Sequence, residues 1–202
     1  MMSMLTYCRE ARGVAMIASL LILIAVLLVG ASAARLALQN ERAARAERDR
    51  QMAFQAAEDG LLDAERDIDA DGSGGDAARA AMFAPDSALG FVDGCGVGDD
   101  GANLGLCRHA AAGAPPAWQS VDLSGDEART VGYGQYTGAT MQTGQGFLPF
   151  KRPRYIVERI VCHRAGEDAS TPPSYCYRVT AIGFGARPAT QVVLQSVYRK
   201  PD

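Results

Sequence analysis

The longest uninterrupted run of apolar residues lies near the amino terminus. Residues 14–34 contain no charged side chain, and Ser19 and Ser32 are their only polar members. An α-helix rises about 1.5 Å per residue, so a run of roughly 20 residues can cross a hydrocarbon layer about 30 Å thick. Eleven of the 21 residues are Leu, Ile or Val, which favour insertion by roughly −3 to −7 kcal/mol in total. The pattern predicts one transmembrane helix.

A cleaved secretory signal is the main alternative for this segment. Ala31-Ser32-Ala33 matches a small-residue cleavage pattern, and Arg9 and Arg12 supply a basic start. The apolar part of a signal peptide has about 7–15 residues, which is shorter than this run. The helical pattern also continues through the cleavage pattern, so a retained anchor is favoured.

Residues 35–68 change from uniformly apolar to amphipathic. They contain no proline and one glycine, and good helix formers dominate them. The apolar positions recur at helical spacing, so we expect one helix from Val14 to about Asp67. Small alanines are poor coiled-coil knobs and favour close packing on a sheet or a second helix. The predicted packing face comprises Ala46, Ala53, Ala57, Leu61, Ala64 and Ile68, widened by Phe54 and Leu62, with Arg42, Arg45, Asp49 and Arg50 on the solvated side.

The carboxyl-terminal part, residues 154–202, alternates strand-like runs with turn residues. β-branched and aromatic residues dominate residues 154–162, 175–184 and 190–199, which predicts a three-stranded antiparallel meander. Pro172-Pro173 lies in one connection and Gly185 to Pro188 in the other. The predicted fold is therefore α+β, with the long amino-terminal helix packed on a carboxyl-terminal antiparallel sheet.

The intervening region, residues 69–153, is rich in glycine and aspartate. Sixteen of the 22 glycines lie between residues 71 and 150, so a large loop region is expected, with short strands at Trp118–Val121 and Val131–Tyr136. Its aromatic residues are expected to form a loop-side core or, where exposed, a partner-binding patch. These residues are Trp118, Tyr133, Tyr136, Phe147 and Phe150. The predicted organisation is 1–13 leader, 14–34 transmembrane half-helix, 35–68 amphipathic half-helix, 69–153 variable region and 154–202 sheet.

Four of the five cysteines follow the apolar run, and Cys8 precedes it. Four cysteines allow three pairings, and the spacing favours two local bridges. No C-x₂-C pair supports the alternative of a zinc site. Disulfides indicate an oxidising compartment, whereas the count of arginines flanking the membrane segment favours a cytoplasmic carboxyl-terminal part. We give the cysteines more weight. The favoured bridges are Cys95–Cys107 and Cys162–Cys176.

Charge and candidate chemistry add little. A net charge of −3 and two histidines argue against nucleic-acid binding and against a histidine-based catalytic or metal site. Asp67, Asp69 and Asp71 match the first half of an EF-hand loop, but position twelve is Ala78 where a bidentate Glu belongs. These aspartates are therefore a weak calcium candidate, and we expect no cofactor, no metal and no enzymatic activity.

Two sequence blocks resemble a known family. The leader ends in Arg12-Gly13 directly before the apolar run, residues 48–58 read RDRQMAFQAAE, and YRVTA (177–181) is followed by TQVVLQS (190–196). Together these features resemble PilX-type minor pilins of type IV pili, with a class III leader. The resemblance implies that prepilin peptidase cleaves after Gly13 and that the new amino terminus, Val14, is methylated.

The resemblance also implies a location and partners. The chain would sit in the inner membrane as a single-pass protein with a periplasmic carboxyl-terminal domain, contacting lipid and the inner-membrane assembly platform. It would then join other minor pilins and the major pilin, prime pilus assembly, and lie at the tip with a large adhesin. Small residues would let the helices approach closely there. These are Ala15, Ala18, Ala25, Gly30 and Ala31.

Two positions depart from the usual pilin pattern. Val14 stands where most pilins begin with Phe or Met, and Ala18 stands where most carry Glu. The missing carboxylate removes one assembly contact, which suits a subunit with no other subunit above it. A tip pseudopilin of a type II secretion system fits the same pattern, and a membrane-tethered periplasmic enzyme or binding module remains a third hypothesis.

Overall fold

The computed structural model describes residues 11–72, 76–84, 87, 89–97, 101–125, 129–163, 166 and 174–201, with the side chains of residues 11–13 excepted. The chain forms two compact units, residues 1–47 and 48–202. The leader predicted over residues 1–13 lies largely outside the described residues.

One helix dominates the chain. Helix α1 spans Ala11–Asp69, which confirms the predicted continuous helix and extends it by two residues beyond Asp67. Arg66 lies in its last turn, where a positive charge is favourable beside the exposed carbonyl groups. Gly72 follows with φ +78°, a left-handed conformation that glycine adopts without steric cost.

The described residues form a five-stranded sheet and two short helices. The predicted meander is confirmed: β3 pairs with β4, and β4 pairs with β5, both antiparallel. The remaining elements come from the glycine-rich region. The elements after α1 are α2 Ala77–Met82, β1 Leu106–Arg108, α3 Ala117–Ser120, β2 Val131–Gly132, β3 Arg154–Cys162, β4 Ser174–Phe184 and β5 Gln191–Tyr198.

The sheet is mixed, which corrects the prediction of a purely antiparallel one. β1 pairs in parallel with β3, with Leu106 opposite Val157. β2 pairs antiparallel with the same strand, with Val131 opposite Tyr155. Both short strands therefore extend the sheet beyond the meander, so the glycine-rich region contributes to the fold.

Of the two strands predicted in this region, one is absent and the other is shorter than predicted. Residues predicted as a strand at Trp118–Val121 form helix α3 and its end, following Pro116 in extended conformation. The strand predicted at Val131–Tyr136 ends at Gly132, because a turn begins at Tyr133. The connection predicted at Pro172-Pro173 lies outside the described residues.

Apolar side chains cover both faces of the sheet. Tyr155 and Val157 belong to one core cluster while Ile156 between them belongs to the other, as expected because successive strand residues point to opposite faces. The helix-side cluster is Ala64, Ile68, Phe83, Phe91, Leu104, Leu106, Val131, Tyr155, Val157, Tyr177, Val179 and Ala181. The opposite cluster is Cys95, Cys107, Ala117, Val121, Leu123, Ile156, Ile182 and Phe184.

The predicted aromatic group is divided between core and surface. Tyr136 packs against the helix-side cluster, and Phe150 contacts Phe184 edge-on with ring centroids 5.3 Å apart. Trp118 and Phe147 are exposed, the latter by 73%. The group therefore forms neither a single core nor a single patch.

Candidate functional site: the long helix and its contacts with the sheet

The apolar segment of α1 presents its side chains outward. Every residue from 14 to 34 is exposed within its unit. The segment is the one helical stretch in the described chain long and apolar enough to cross a membrane, with a mean hydropathy of 2.9 over its best window. A helical segment of this length with exposed apolar side chains is stable in hydrocarbon and unfavourable in water. The segment therefore fits a single-pass membrane anchor.

Both serines of the segment bond to the helix itself. Ser19 Oγ donates to the carbonyl oxygen of Met16 at 2.9 Å, and Ser32 Oγ donates to that of Leu28 at 2.8 Å. In lipid an unbonded hydroxyl is costly because water is absent. These internal bonds leave the segment without unsatisfied hydroxyl donors.

The predicted small residues occupy more than one side of this segment. At about 100° per residue, Ala15, Ala18 and Ala25 fall within roughly 80° of one another. Gly30 borders that face, whereas Ala31 lies roughly on the opposite side by the same rotation. A Cβ placed at Gly30 would meet no atom within 4 Å. The close-approach face stays a prediction, and its members lie on two sides of the segment.

The second half of α1 packs closely on β4 through small residues. Ala53, Ala57 and Ala64 are fully buried, as predicted, and Leu61 packs against the helix-side cluster. A Cβ placed on Gly183 of β4 would overlap the α1 backbone at Ala53 and Ala57. Main chain therefore approaches main chain here, because neither partner carries a side chain large enough to separate them.

The predicted face was too wide on one side. Phe54 is 43% exposed and Leu62 is 49% exposed, and Ala46 is also exposed. Phe54 follows Ala53 by one position, which rotates it about 100° from the contact line. The helix-sheet contact is therefore narrow and made of small residues, without the predicted aromatic contribution from Phe54.

Asp49 is a contact residue that the sequence interpretation placed in solvent. It is only 6% exposed, and its carboxylate accepts hydrogen bonds from the Ala186 backbone N–H at 2.6 Å, the Arg187 Nε at 2.8 Å and the Thr190 hydroxyl. Burial acts to raise its pKa, but these hydrogen bonds outweigh burial and lower the pKa below the ordinary value. Asp49 thus binds the β4–β5 turn to α1 in its ionised form.

Asp63 makes a similar contact with the opposite electrostatic outcome. Its carboxylate accepts from the Gly134 backbone N–H at 2.8 Å and from the Thr137 hydroxyl. Burial is the largest influence and raises the pKa of Asp63, assisted by the nearby charge of Asp67. The hydrogen bonds oppose this rise without cancelling it. Asp63 binds the turn after β2 to α1 in a site that penalises its charge.

Asp67 belongs to a buried polar cluster and is unsuited to calcium. It accepts from Arg79 Nη2 at 2.7 Å and from the Tyr155 hydroxyl at 3.0 Å. The same guanidinium donates to the carbonyl oxygens of Ala102 and Leu104 at 2.9 and 2.7 Å. An Arg already supplies the positive charge that a cation would bring. Asp67 therefore connects α1, α2 and β3.

The other two calcium candidates do not complete a metal site. Asp69 accepts a hydrogen bond from the Tyr198 hydroxyl, which raises the pKa of that tyrosine to about 12. Asp71 is exposed. No group of three or more potential metal ligands occurs among the described residues. Asp67 and Asp69 serve instead as acceptors that bind the end of α1 to the sheet.

Disulfides join the four cysteines downstream of the apolar segment. Cys95 bonds to Cys107 and Cys162 bonds to Cys176, the pairs that the spacing favours. The second bridge joins β3 to β4, where the two residues end one strand and lie near the start of the next. The bridged sulfurs have no thiolate to act as nucleophiles.

The buried acceptors of α1 are the functional residues that sequence reasoning missed, and their spacing contains the missing signal. Asp49 lies four residues before Ala53, so both share one helix face. Asp63 lies three residues after Gly60, on the same contact side. The prediction placed Asp49 on the solvated side of the wheel, although Asp49 lies only about 40° from Ala53 around the helix axis.

Two family models match the chain. One, described as Type IV pilus assembly protein PilX C-term, matches residues 103–200, and the other, described as PilX N-terminal, matches residues 12–61. The first match contains all five described strands. The second contains the apolar segment and most of the part of α1 that packs on the sheet. No curated protein and no solved structure matches the chain.

Proposed function

Because this chain belongs to the PilX family of type IV pilus proteins, whose members are minor pilins, we propose that it primes pilus assembly and stays at the pilus tip. The observation that carries the proposal is the fully exposed apolar half of α1 in a chain that matches both family models. Its role is structural and not enzymatic: helices pack laterally and the sheet domain is presented outward.

Processing is the first step of the proposed pathway. Prepilin peptidase removes residues 1–13 by cleavage after Gly13, and Val14 becomes the methylated amino terminus. Residues 14–34 then hold the mature protein in the inner membrane as a single-pass anchor. The disulfides Cys95–Cys107 and Cys162–Cys176 support a periplasmic domain, because such bonds persist in oxidising compartments.

The small residues of the anchor support lateral assembly. In lipid, helices associate mainly by van der Waals packing, which small side chains improve by allowing close approach. Ala15, Ala18 and Ala25 supply one such face, while Gly30 and Ala31 supply approach on other sides. The partners on these faces are other minor pilins and the major pilin, and a large adhesin would share the tip.

The absence of a carboxylate at Ala18 supports placement at the tip. A carboxylate within the bilayer is stable only when paired, for example with an amino group of a neighbouring subunit. Residues 14–34 contain no carboxylate. A subunit without this contact lacks one polar link within the fibre, which is acceptable at the end of a filament.

Amino-terminal sequencing of the mature protein tests the processing step. We expect the sequence to begin at methylated Val14, Gly13→Ala to retain the leader, and Val14→Phe, the matched control, to be processed. Normal pili formed with unprocessed Gly13→Ala protein, or a mature chain beginning at Ala34, would contradict the proposal.

Membrane packing is tested by one charge placed at two positions. Ala25→Asp introduces an unpaired carboxylate into the apolar segment, at a cost of about 2.5–3.5 kcal/mol at a helix centre, and should abolish assembly. Ala44→Asp places the same charge on an exposed residue outside the segment and should assemble normally. Equal assembly of the two variants would refute a role for the apolar surface.

Tip placement is tested by gold labelling of the sheet domain on isolated pili. Label should lie at pilus ends, and Ala18→Glu should spread it along the shaft while Ala18→Gln should not. A deletion strain separates the pilus role from that of a secretion pseudopilin, which fits the missing carboxylate equally well. Loss of pili and twitching supports the pilus role, whereas loss of protein secretion with normal pili supports the alternative.

A further inference from the structure

The outer strand of the meander has one open edge. Within the described residues β5, Gln191–Tyr198, pairs with β4 and with no other strand. The register is one-to-one from Tyr177 opposite Tyr198 to Phe184 opposite Gln191, so no bulge interrupts it. The other edge of β5 therefore offers a straight row of unpaired backbone groups.

The turn before β5 determines which groups face this edge. Continuing the register places Gly185 opposite Thr190, and the Gly185 N–H donates to the Thr190 carbonyl oxygen at 2.9 Å, while the Thr190 N–H donates to Arg187 within the turn. This one bond places the two residues at a hydrogen-bonded position of the ladder. Such pairs alternate with non-bonded ones along an antiparallel ladder, and residues of non-bonded pairs direct N–H and C=O outward. The outward-facing residues of β5 are Gln191, Val193, Gln195 and Val197.

The edge lacks the features by which proteins prevent strand addition. β5 contains no charged residue and no proline, and Val193 and Val197 are 48% and 61% exposed. Exposed edges are normally protected by lysine, proline, bulges or a covering element. An uncharged, regular edge of eight residues is a template for another extended segment.

Charges at the two ends favour a different protein over a second copy as the occupant. Arg187 precedes the strand and is 62% exposed at its side chain, although it pairs with Asp49. Arg199 and Lys200 follow it. Two copies paired antiparallel through β5 would place Arg187 of each beside Arg199 of the other, and like charges opposite one another are destabilising.

We propose that β5 accepts an extended strand from a partner protein, whose β-prone uncharged centre is flanked by acidic residues. Backbone hydrogen bonds to the outward groups provide affinity, and the basic ends select the acidic flanks. The inference goes beyond the proposed pilus role and does not depend on it, because it rests on backbone geometry and charge in the sheet alone.

The test uses the full chain in detergent micelles with the synthetic peptide acetyl-DETVTVTVED-amide. Bound peptide should slow hydrogen exchange at the amides of Val193, Gln195 and Val197. The amides of Val192 and Leu194 should change little because they already bond to β4. Absence of protection at the outward amides, or equal protection at both sets, would overturn the proposal.

One pair of variants distinguishes pairing at the β5 edge from nonspecific peptide binding. Val193→Pro removes an outward donor without removing a bond to β4, a position where proline is tolerated at a sheet edge. We expect it to weaken peptide binding at least about tenfold, and Val193→Thr, which keeps the donor, to bind like the parent. Equal binding by both variants would refute strand addition.

Charge selection and self-association have their own readouts. Arg199→Glu combined with Lys200→Glu should weaken the acidic peptide about tenfold and should favour the peptide acetyl-KKTVTVTVKK-amide. Sedimentation of the parent chain should show no dimer formed through β5, that is, no dimer that is lost in Val193→Pro. Equal binding of both peptides by the parent chain, or such a dimer, would overturn the proposed partner chemistry.

Discussion

The close approach of α1 and β4 makes Gly183 the most sensitive position in the helix-sheet contact. A Cβ at this position would lie 2.9 Å from the carbonyl carbon of Ala56, and closer still to backbone atoms of Ala53 and Ala57. These are backbone atoms, so no side-chain rotation can relieve the overlap. Gly183→Ala must therefore move the helix away from the sheet.

The magnitude follows from the cost of overpacking. Extra methyl groups in a packed core cost about 1–3 kcal/mol, and the backbone overlap places Gly183→Ala at the upper end. Replacing Gly by Ala recovers about 0.4–1 kcal/mol through the unfolded chain. We expect a net loss of about 2–2.6 kcal/mol, which lowers Tm by roughly 4–10 °C for a domain of this size.

Denaturant unfolding of the full chain in detergent micelles, followed by near-UV circular dichroism with disulfides intact, measures the effect. Gly132→Ala is the matched control, because its Cβ would meet only the Gln135 side chain at 3.8 Å. Gly60→Ala should fall between them, since its Cβ would lie 3.2 Å from Pro153 Cβ while α1 gains helix propensity. Equal stability of the Gly183 and Gly132 variants would refute backbone-to-backbone packing.

Four further expectations concern the polar contacts and the bridges. Asp49 has a lowered pKa, so the stability it contributes is fully present above its ordinary pKa of 3.8 and is lost as pH falls through the folded pKa. The stability lost in Asp49→Asn, measured by urea titration, should therefore become smaller in that pH range. Asp63 has a raised pKa, so stability should fall as pH rises from 3.8 through the folded pKa, and Asp63→Asn should remove this slope; a slope of the same sign at both sites would contradict the reasoning. The Ser196 hydroxyl is buried and has no hydrogen-bond partner among the described residues. Ser196→Ala should therefore leave stability unchanged or raise it by up to about 1 kcal/mol, and a loss on thermal unfolding would show a missed partner. Replacing Cys162 and Cys176 together by Ser should cost about 3 kcal/mol, the chain-entropy value for a loop near 15 residues, and mass spectrometry after alkylation should label both parent cysteines only after reduction.

The sequence predicts the long elements well because their signals extend over many residues. Good helix formers without proline place the end of α1 within two residues of Asp69. β-branched runs predict the whole meander. β1 has three residues, Leu106–Arg108, which is too short for an alternating pattern, and its parallel pairing depends on where the preceding loops place it. The error at Trp118–Val121 has the same cause.

The sequence predicts where the contact face of α1 lies, but it does not predict the buried carboxylates on that face. Alanine spacing identifies the buried residues Ala53, Ala57 and Ala64. Asp49 was predicted on the solvated side of the helical wheel, and its partners in the β4–β5 turn lie more than 130 positions away. Pairings at that separation leave no local signal, so only helical phase pointed to a buried role.

Small residues permit close approach in both halves of α1, but the two halves need different additional interactions. Against β4, alanine and glycine bury little apolar area, and Asp49 and Asp63 add hydrogen bonds that hold the contact. Residues 14–34 have no charged group, and their serine hydroxyls already bond within the helix. The proposed association there would rest on shape and dispersion alone. The same helix therefore holds its own sheet by specific polar bonds and leaves its apolar half free of such bonds, as the proposed role in starting a filament requires.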